Sequence, residues 1–286
     1  MREGRPSRTA LATACARAYH QIADEPRILT DPLAIAITGV GLDEIIERET
    51  TGDQPTADPT MPQRRRLFLA ARSRFAEDTI AAAVAAGTRQ VVVLGAGLET
   101  FAYRNPHSGV RVYEVDNPDT QAWKQNRLEA AGIAIPRSLT FVPVDFESTT
   151  LSDGLAATDF DRNQPAVFMW LGVVMYLTMD AIRATLRFVA GQATPVQVVF
   201  DYLSPPPRTD DAREASFEER ASRVAAVGEP WRTFFTVEEI TRELHEIGFD
   251  TVQDRPGSTL AADYLGVPPR DLDRAGAPHV VLADRT

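Results

Sequence analysis

Gln90-Val-Val-Val-Leu-Gly-Ala-Gly-Leu-Glu-Thr100 is the stretch that decides the fold. Branched apolar residues run straight into Gly95-Ala-Gly97. Such a run reads as a buried parallel strand ending in a tight glycine turn, with a helix after it. Nineteen residues beyond Gly97, Arg111-Val-Tyr-Glu-Val-Asp116 is a second strand tipped by an acid. A carboxylate at that tip can accept hydrogen bonds from both hydroxyls of a ribose, so the two strands together describe a nucleoside-binding crevice.

The residues after Gly97 narrow the choice of nucleoside. A dinucleotide site wants a third glycine, which lets the helix pack close and the pyrophosphate rest on its N-terminus. Thr100 occupies that position here, and Glu99 adds a negative charge beside it. Both disfavour a pyrophosphate and so argue against a nucleotide-dependent oxidoreductase. Neither disfavours S-adenosylmethionine (SAM), which carries no phosphate.

The chain has 286 residues, enough to bury a full core, with 44% hydrophobic and 24% charged residues. A formal net charge of −10 disfavours nucleic acid as a partner. Cys15 is the single cysteine, so an intrachain disulfide is impossible and a reducing, cytoplasmic setting is expected. The sequence shows neither the apolar core of a signal peptide nor a run long enough to span a membrane. It also lacks the spacings of a metal site.

Strands are expected at 90–95, 110–116, 139–145, 166–171 and 195–202, with helices between them at 98–104, 118–131 and 178–191. This alternation predicts a doubly wound, mainly parallel sheet of the Rossmann-like α/β class. Two further strands, 249–253 and 279–282, would make seven. Around this core, helices are expected over 7–25, from Asp31 through Ile37, over 63–86, over 210–226, and from Thr236, whose capping box includes Glu239. Residues 48–63 read as a polar, proline-rich loop. The division that follows is a helical lid over 1–62 and a core over 63–286, with 204–230 as an insertion completing the lid. Leu11, Cys15, Tyr19 and Ile22 form the expected apolar face of the first helix.

The residues resemble the leucine carboxyl methyltransferase family, and within it the bacterial SAM-dependent methyltransferases. The segments that carry the resemblance are Ala71-Arg-Ser-Arg-Phe75, Gln90–Thr100, Glu114-Val-Asp-Asn-Pro118, Val144-Asp-Phe146, Trp170–Leu177, Phe200-Asp-Tyr202 and Gly228–Phe235. The resemblance implies a class I methyltransferase core of seven strands with helices added over the cofactor crevice. It implies that Arg72 pairs with the SAM carboxylate, where a guanidinium suits bidentate binding. Gly95 and Gly97 become the close-approach glycines, Asp116 the ribose acid, and Asp145 with Phe146 the adenine pair. One position departs from the pattern. The family often places an acid before the glycine of its fourth-strand motif, to hold the SAM ammonium, and Leu171 stands there. Backbone carbonyls at Gly95 or Leu171 are the replacement expected.

Methyl transfer from a sulfonium is an in-line displacement in which positioning and exclusion of water carry much of the catalysis. A carboxylate acceptor is already an anion and needs no base, whereas a hydroxyl acceptor does. Tyr19 and His20 are the candidates for that base. Tyr176, Tyr202 and Trp231 are the candidates for walls of the acceptor pocket. The reading is therefore an O-methyltransferase acting on a carboxylate or hydroxyl of a small molecule or peptide. A noncatalytic SAM-binding protein is the alternative that Leu171 keeps open.

Overall fold

A computed structural model of the chain describes residues 7–50, 60–145, 149–205, 211–226, 228–268 and 277–286. The seven expected strands form one sheet: β1 Gln90–Leu94, β2 Arg111–Asp116, β3 Leu139–Pro143, β4 Ala166–Trp170, β5 Val196–Leu203, β6 Thr251–Pro256 and β7 Pro278–Arg285. Their order is β3-β2-β1-β4-β5-β7-β6. The pairs among β1 to β5 are parallel, and β7 runs antiparallel to both β5 and β6. The order reverses beside β1, which leaves a crevice at the C-terminal ends of β1 and β4.

The apolar alternation divides the core between the two faces of the sheet. Val92 and Leu94 point into one cluster, with α7 (Leu151–Ala156), α8 (Met179–Ala190) and α10 (Val237–Ile247) over it. Val91 and Val93 point into the other, covered by α4 (Met61–Ala85), α5 (Phe101–Arg104) and α11 (Gly257–Leu265). Because β1 and β4 are buried on both faces, their sequences are continuous apolar runs. The capping box closes on α10: Glu239 N–H donates to Thr236 Oγ1, and Thr236 N–H donates to Glu239 Oε2. Gly248 at φ 113° ends that helix.

Several boundaries differ from the sequence reading. The helix expected from Asp31 starts at Ala34 and runs to Thr38 (α2), because Asp31 Oδ1 caps Leu33 N–H instead. Leu42–Thr50 (α3) is helical and runs into the segment read as a loop, of which 51–59 lie outside the described residues. The helix after Gly97 has only four residues. α11 was not expected at all. It packs on α4, and Gly257, Ala261 and Leu265 put it in the wall of the site. α6 (Pro118–Ala130) and α9 (Asp211–Ala226) fall where the pattern placed helices.

The first helix, α1 (Arg8–Ala23), packs three residues of the expected face, Leu11, Cys15 and Tyr19, and leaves out Ile22. Ile22 is 44% exposed, while Ala14, Cys15, Ala18, Arg17 and His20 are buried. Cys15 sits with Ala18, Ala34 and Ile45, and burial pushes its thiol up.

Candidate functional site

A cavity of about 2290 Å³ opens at the crevice beside β1 and β4. A single small-ligand pocket is roughly 300–1,000 Å³, so this space can hold a cofactor and an acceptor together. Arg72, Gly95, Gly97, Asp116, Leu171, Tyr176 and Trp231 all line it. Residues spread over 160 positions of sequence therefore meet in one place.

The turn after β1 is shaped by its glycines. Gly95 has φ 64°, a conformation that disfavours side chains, and a Cβ there would come within 2.5 Å of Val173 Cγ2. Asp116 closes the turn from the neighbouring strand. Its Oδ2 accepts from Gly97 N–H at 2.6 Å and its Oδ1 from Asn117 N–H at 2.7 Å. Burial pushes its carboxyl up, and these two amides pull it back. Each oxygen keeps a lone pair for a further donor, which suits a ribose diol.

Glu99 acts differently from the repulsive charge expected. Its Oε1 accepts from Thr100 N–H at 2.8 Å and Phe101 N–H at 3.1 Å. These are the helix-terminal amides a pyrophosphate would use. The chain fills them with its own carboxylate, and α1 supplies the counter-charge: Arg17 reaches Glu99 at 3.1 Å and Asp31 at 3.0 Å. Burial pushes Glu99 up, but Arg17, Arg104 and the Thr100 amide outweigh it and hold the carboxyl at about 2. α1 is thus pinned to the glycine turn, with Thr9, Ala10 and Thr13 along the cavity edge.

Arg72 is buried on α4 and paired with Asp201 of β5, Nη1 to Oδ2 at 2.5 Å. The other oxygen of Asp201 accepts from Gly172 N–H at 2.5 Å. Leu171 stands beside that amide. Asp201 was missed in the sequence, although an acid inside the buried run Val196–Leu203 was a signal of a partnered charge.

Tyr176 and Trp231 meet on the far side of the cavity. Burial pushes the Tyr176 phenol up, while Thr9 and Trp231 reach its oxygen and oppose this. Thr9 Oγ1 also donates to Glu229 Oε2, joining α1 to the segment after α9. Glu229 lines the cavity and was not anticipated.

Four of the expected site residues, Tyr202, His20, Tyr19 and Asp145, do not line the cavity. Tyr202 is 0% exposed, donates to Asp254 at 2.7 Å and stacks on His279, binding β5, β6 and β7 together. His20 is no base. Its Nε2 accepts from Ile28 and Leu29 N–H, so its ring proton lies on Nδ1, which faces Asp24 at 2.8 Å. Tyr19 faces Arg66 of α4, whose guanidinium lies 4.7 Å from the ring centre, and like His20 it is absent from the cavity wall. Both belong to the clamp between α1 and α4, where Arg66 grips Asp24 in a bidentate pair. Asp145 follows β3 without lining the cavity, and Phe146 lies outside the described residues. Among the described residues no group of three or more His, Cys, Asp or Glu could hold a metal, and no helix is long and apolar enough to cross a membrane.

Comparison with known proteins gives a family and a fold. Residues 10–190 match the family model "Leucine carboxyl methyltransferase". The chain is 32% identical to "Putative S-adenosyl-L-methionine-dependent methyltransferase YktD" of Bacillus subtilis, over 87% of this chain and 88% of that protein. It is 31% identical to a protein named in the same terms from Mycolicibacterium paratuberculosis, over 96% and 92% of the two chains. Among solved structures, a "putative methyltransferase" from Thermobifida fusca shares the fold with a TM-score of 0.57 at 16% identity, covering 100% of this chain and 97% of that one. A duf574 family protein from Streptomyces avermitilis does so with a TM-score of 0.55 at 18% identity, covering 96% and 97%.

Proposed function

We propose that this chain, which belongs to the leucine carboxyl methyltransferase family and is a SAM-dependent methyltransferase, methylates a carboxylate oxygen of a small molecule or peptide. The observation that carries the choice of acceptor is the make-up of the cavity wall. Among the described residues no histidine lines it. The one histidine considered as a base, His20, has both ring nitrogens engaged elsewhere. A carboxylate needs no proton removed before it attacks, so a site without such a base is sufficient for it.

The residues fit SAM. Asp116 offers lone pairs for the ribose hydroxyls, and the turn at Gly95 and Gly97 leaves the backbone bare for close approach. Arg72 is the cation for the methionine carboxylate, and Asp201 holds its guanidinium in place from behind. Leu171 and Gly95 offer backbone carbonyls toward the ammonium. Bound there, SAM supplies an electrophilic methyl group. The chain's own contribution is to orient the two reactants and to exclude water. In this reading the described parts of 1–62 and 204–230 cover the acceptor side, and the contact from Thr9 to Glu229 ties the two segments together.

A hydroxyl acceptor is the second reading. Glu229 favours it, because a carboxylate on the acceptor side could take up the proton. A methyl-release assay with labelled SAM against matched carboxylic acids and phenols separates the two. Turnover of carboxylic acids, with a rate unchanged in Glu229→Gln, supports the first reading. Turnover of phenols alone, lost in Glu229→Gln, would replace it with the second.

A further inference from the structure

Many of the arginines lining the cavity are held by carboxylates. Arg17 meets Asp31 and Glu99, Arg65 meets Glu49 at 3.6 Å, Arg72 meets Asp201, and Arg223 meets Glu219 at 2.8 Å. Arg220, on α9, lines the same cavity and is half-buried. Among the described residues no carboxylate pairs with it. Its guanidinium lies 5.6 Å from the ring centre of Phe217 and 5.9 Å from that of Trp231. Its Nε is buried with no hydrogen-bond partner. Burial pushes its pKa down, and the positive charges of Arg64 and Arg223 add to this.

A partly buried cation with no carboxylate beside it and a donor unfilled is a cost to the folded chain. An anion arriving in the cavity removes that cost. Arg64 and Arg72 both stand on α4. Arg64 precedes Arg72 by eight residues on this helix, which is a rise of about 12 Å. The backbone positions of Arg64 and Arg72 are thus set apart along α4, and Arg220 lines the same cavity. Trp231 stands next to Arg220 and reaches Tyr176, with Leu67 and Phe68 adding apolar wall.

We propose that Arg220 receives a second anionic group of the acceptor, a carboxylate remote from the methylated atom, with the acceptor's apolar body lying along Trp231. The planar fork of the guanidinium matches a carboxylate, and its aromatic backing keeps it oriented. This rests on the reading of the cavity as the acceptor side of a methyltransferase. It makes Arg220 a determinant of which acceptors bind, acting apart from the transfer itself.

The test uses octanoate, octan-1-ol and octylammonium as probes with the full chain. Binding is followed by calorimetry, with SAM titrated separately into each variant. Octanoate should bind the wild type about tenfold or more tighter than octan-1-ol, as a charge-assisted contact requires, and octylammonium should bind weakest. Arg220→Gln should erase the preference for octanoate, Arg220→Lys should keep part of it, and SAM affinity should stay unchanged in both. Added salt should weaken octanoate and leave octan-1-ol alone, which tests the charge without a variant. Equal binding of octanoate and octan-1-ol to the wild type, no binding of octanoate, or a preference that survives Arg220→Gln would each overturn the proposal. Failure of carboxylic acids as methyl acceptors while octanoate binds as described would overturn the choice of methylated group and leave the Arg220 subsite standing.

Discussion

Replacing Arg72 tests the cofactor assignment, but its partner complicates the experiment. The guanidinium and the Asp201 carboxylate have 8% and 1% of their side-chain surface exposed. Arg72→Met leaves Asp201 buried with only the Gly172 amide as partner. Stranding a buried charge in this way costs roughly 3–5 kcal/mol, which lowers the melting temperature by about 6–20 °C in a chain of this size. A loss of SAM binding in that variant alone would confound the fold with the site. The double variant Arg72→Met/Asp201→Asn removes the stranded charge and should recover most of the stability. If Arg72 holds the methionine carboxylate, the double variant should still bind SAM about tenfold to a hundredfold more weakly, equivalent to about 1.5–3 kcal/mol for a charge-assisted contact. Adenosine has no carboxylate, and its affinity should change by less than about threefold. Calorimetric titration of both ligands into wild type, single and double variants, alongside thermal melts, reads all four quantities. Wild-type SAM affinity in the double variant would refute the role of Arg72. Equal losses for SAM and adenosine would show that it acts only through the fold.

Asp116→Ala should weaken SAM by on the order of 1.5–3 kcal/mol, and an unchanged dissociation constant in a folded variant would remove it from the ribose site. Glu99 carries a pH prediction. Its carboxyl sits at about 2 in the folded chain against an ordinary 4.5, so its stabilisation is present above pH 4.5 and is lost as the pH falls toward 2. Glu99→Gln should cost on the order of 3 kcal/mol at neutral pH and flatten the decline of stability in that acid window. Denaturant titrations at several pH values would show it, and parallel wild-type and variant curves would contradict the pairing with Arg17. His20→Ala orphans the Ile28 and Leu29 amides and should cost about 1–3 kcal/mol per unsatisfied group. Turnover well below the melting temperature should persist, and its abolition in a folded variant would restore His20 as a catalytic candidate.

The strands and the glycine turn were legible because their causes are local. A strand buried on both faces reads as a near-continuous apolar run, as Val91 to Leu94 does, and a turn at φ 64° calls for glycine, as at Gly95. The acid at the tip of β2 was legible for the same reason: it stands at a fixed distance along the chain from the turn it closes. Side-chain partnerships across the sheet were not. Asp201 lies 129 residues from Arg72, and only the packing of α4 across β5 makes them a pair. Tyr202, next to Asp201, alternates to the opposite face of its strand and so leaves the site for Asp254 and His279. His20 carries the chemistry of a base in the sequence, but the fold spends both of its nitrogens on Asp24 and the 28–29 backbone. α11 and Glu229 entered the wall by the same route. Periodicity decides which face of an element is apolar. Which charged groups meet across that face depends on how distant elements dock, and this was decided only in the tertiary structure, where each buried charge had to find a partner or wait for one.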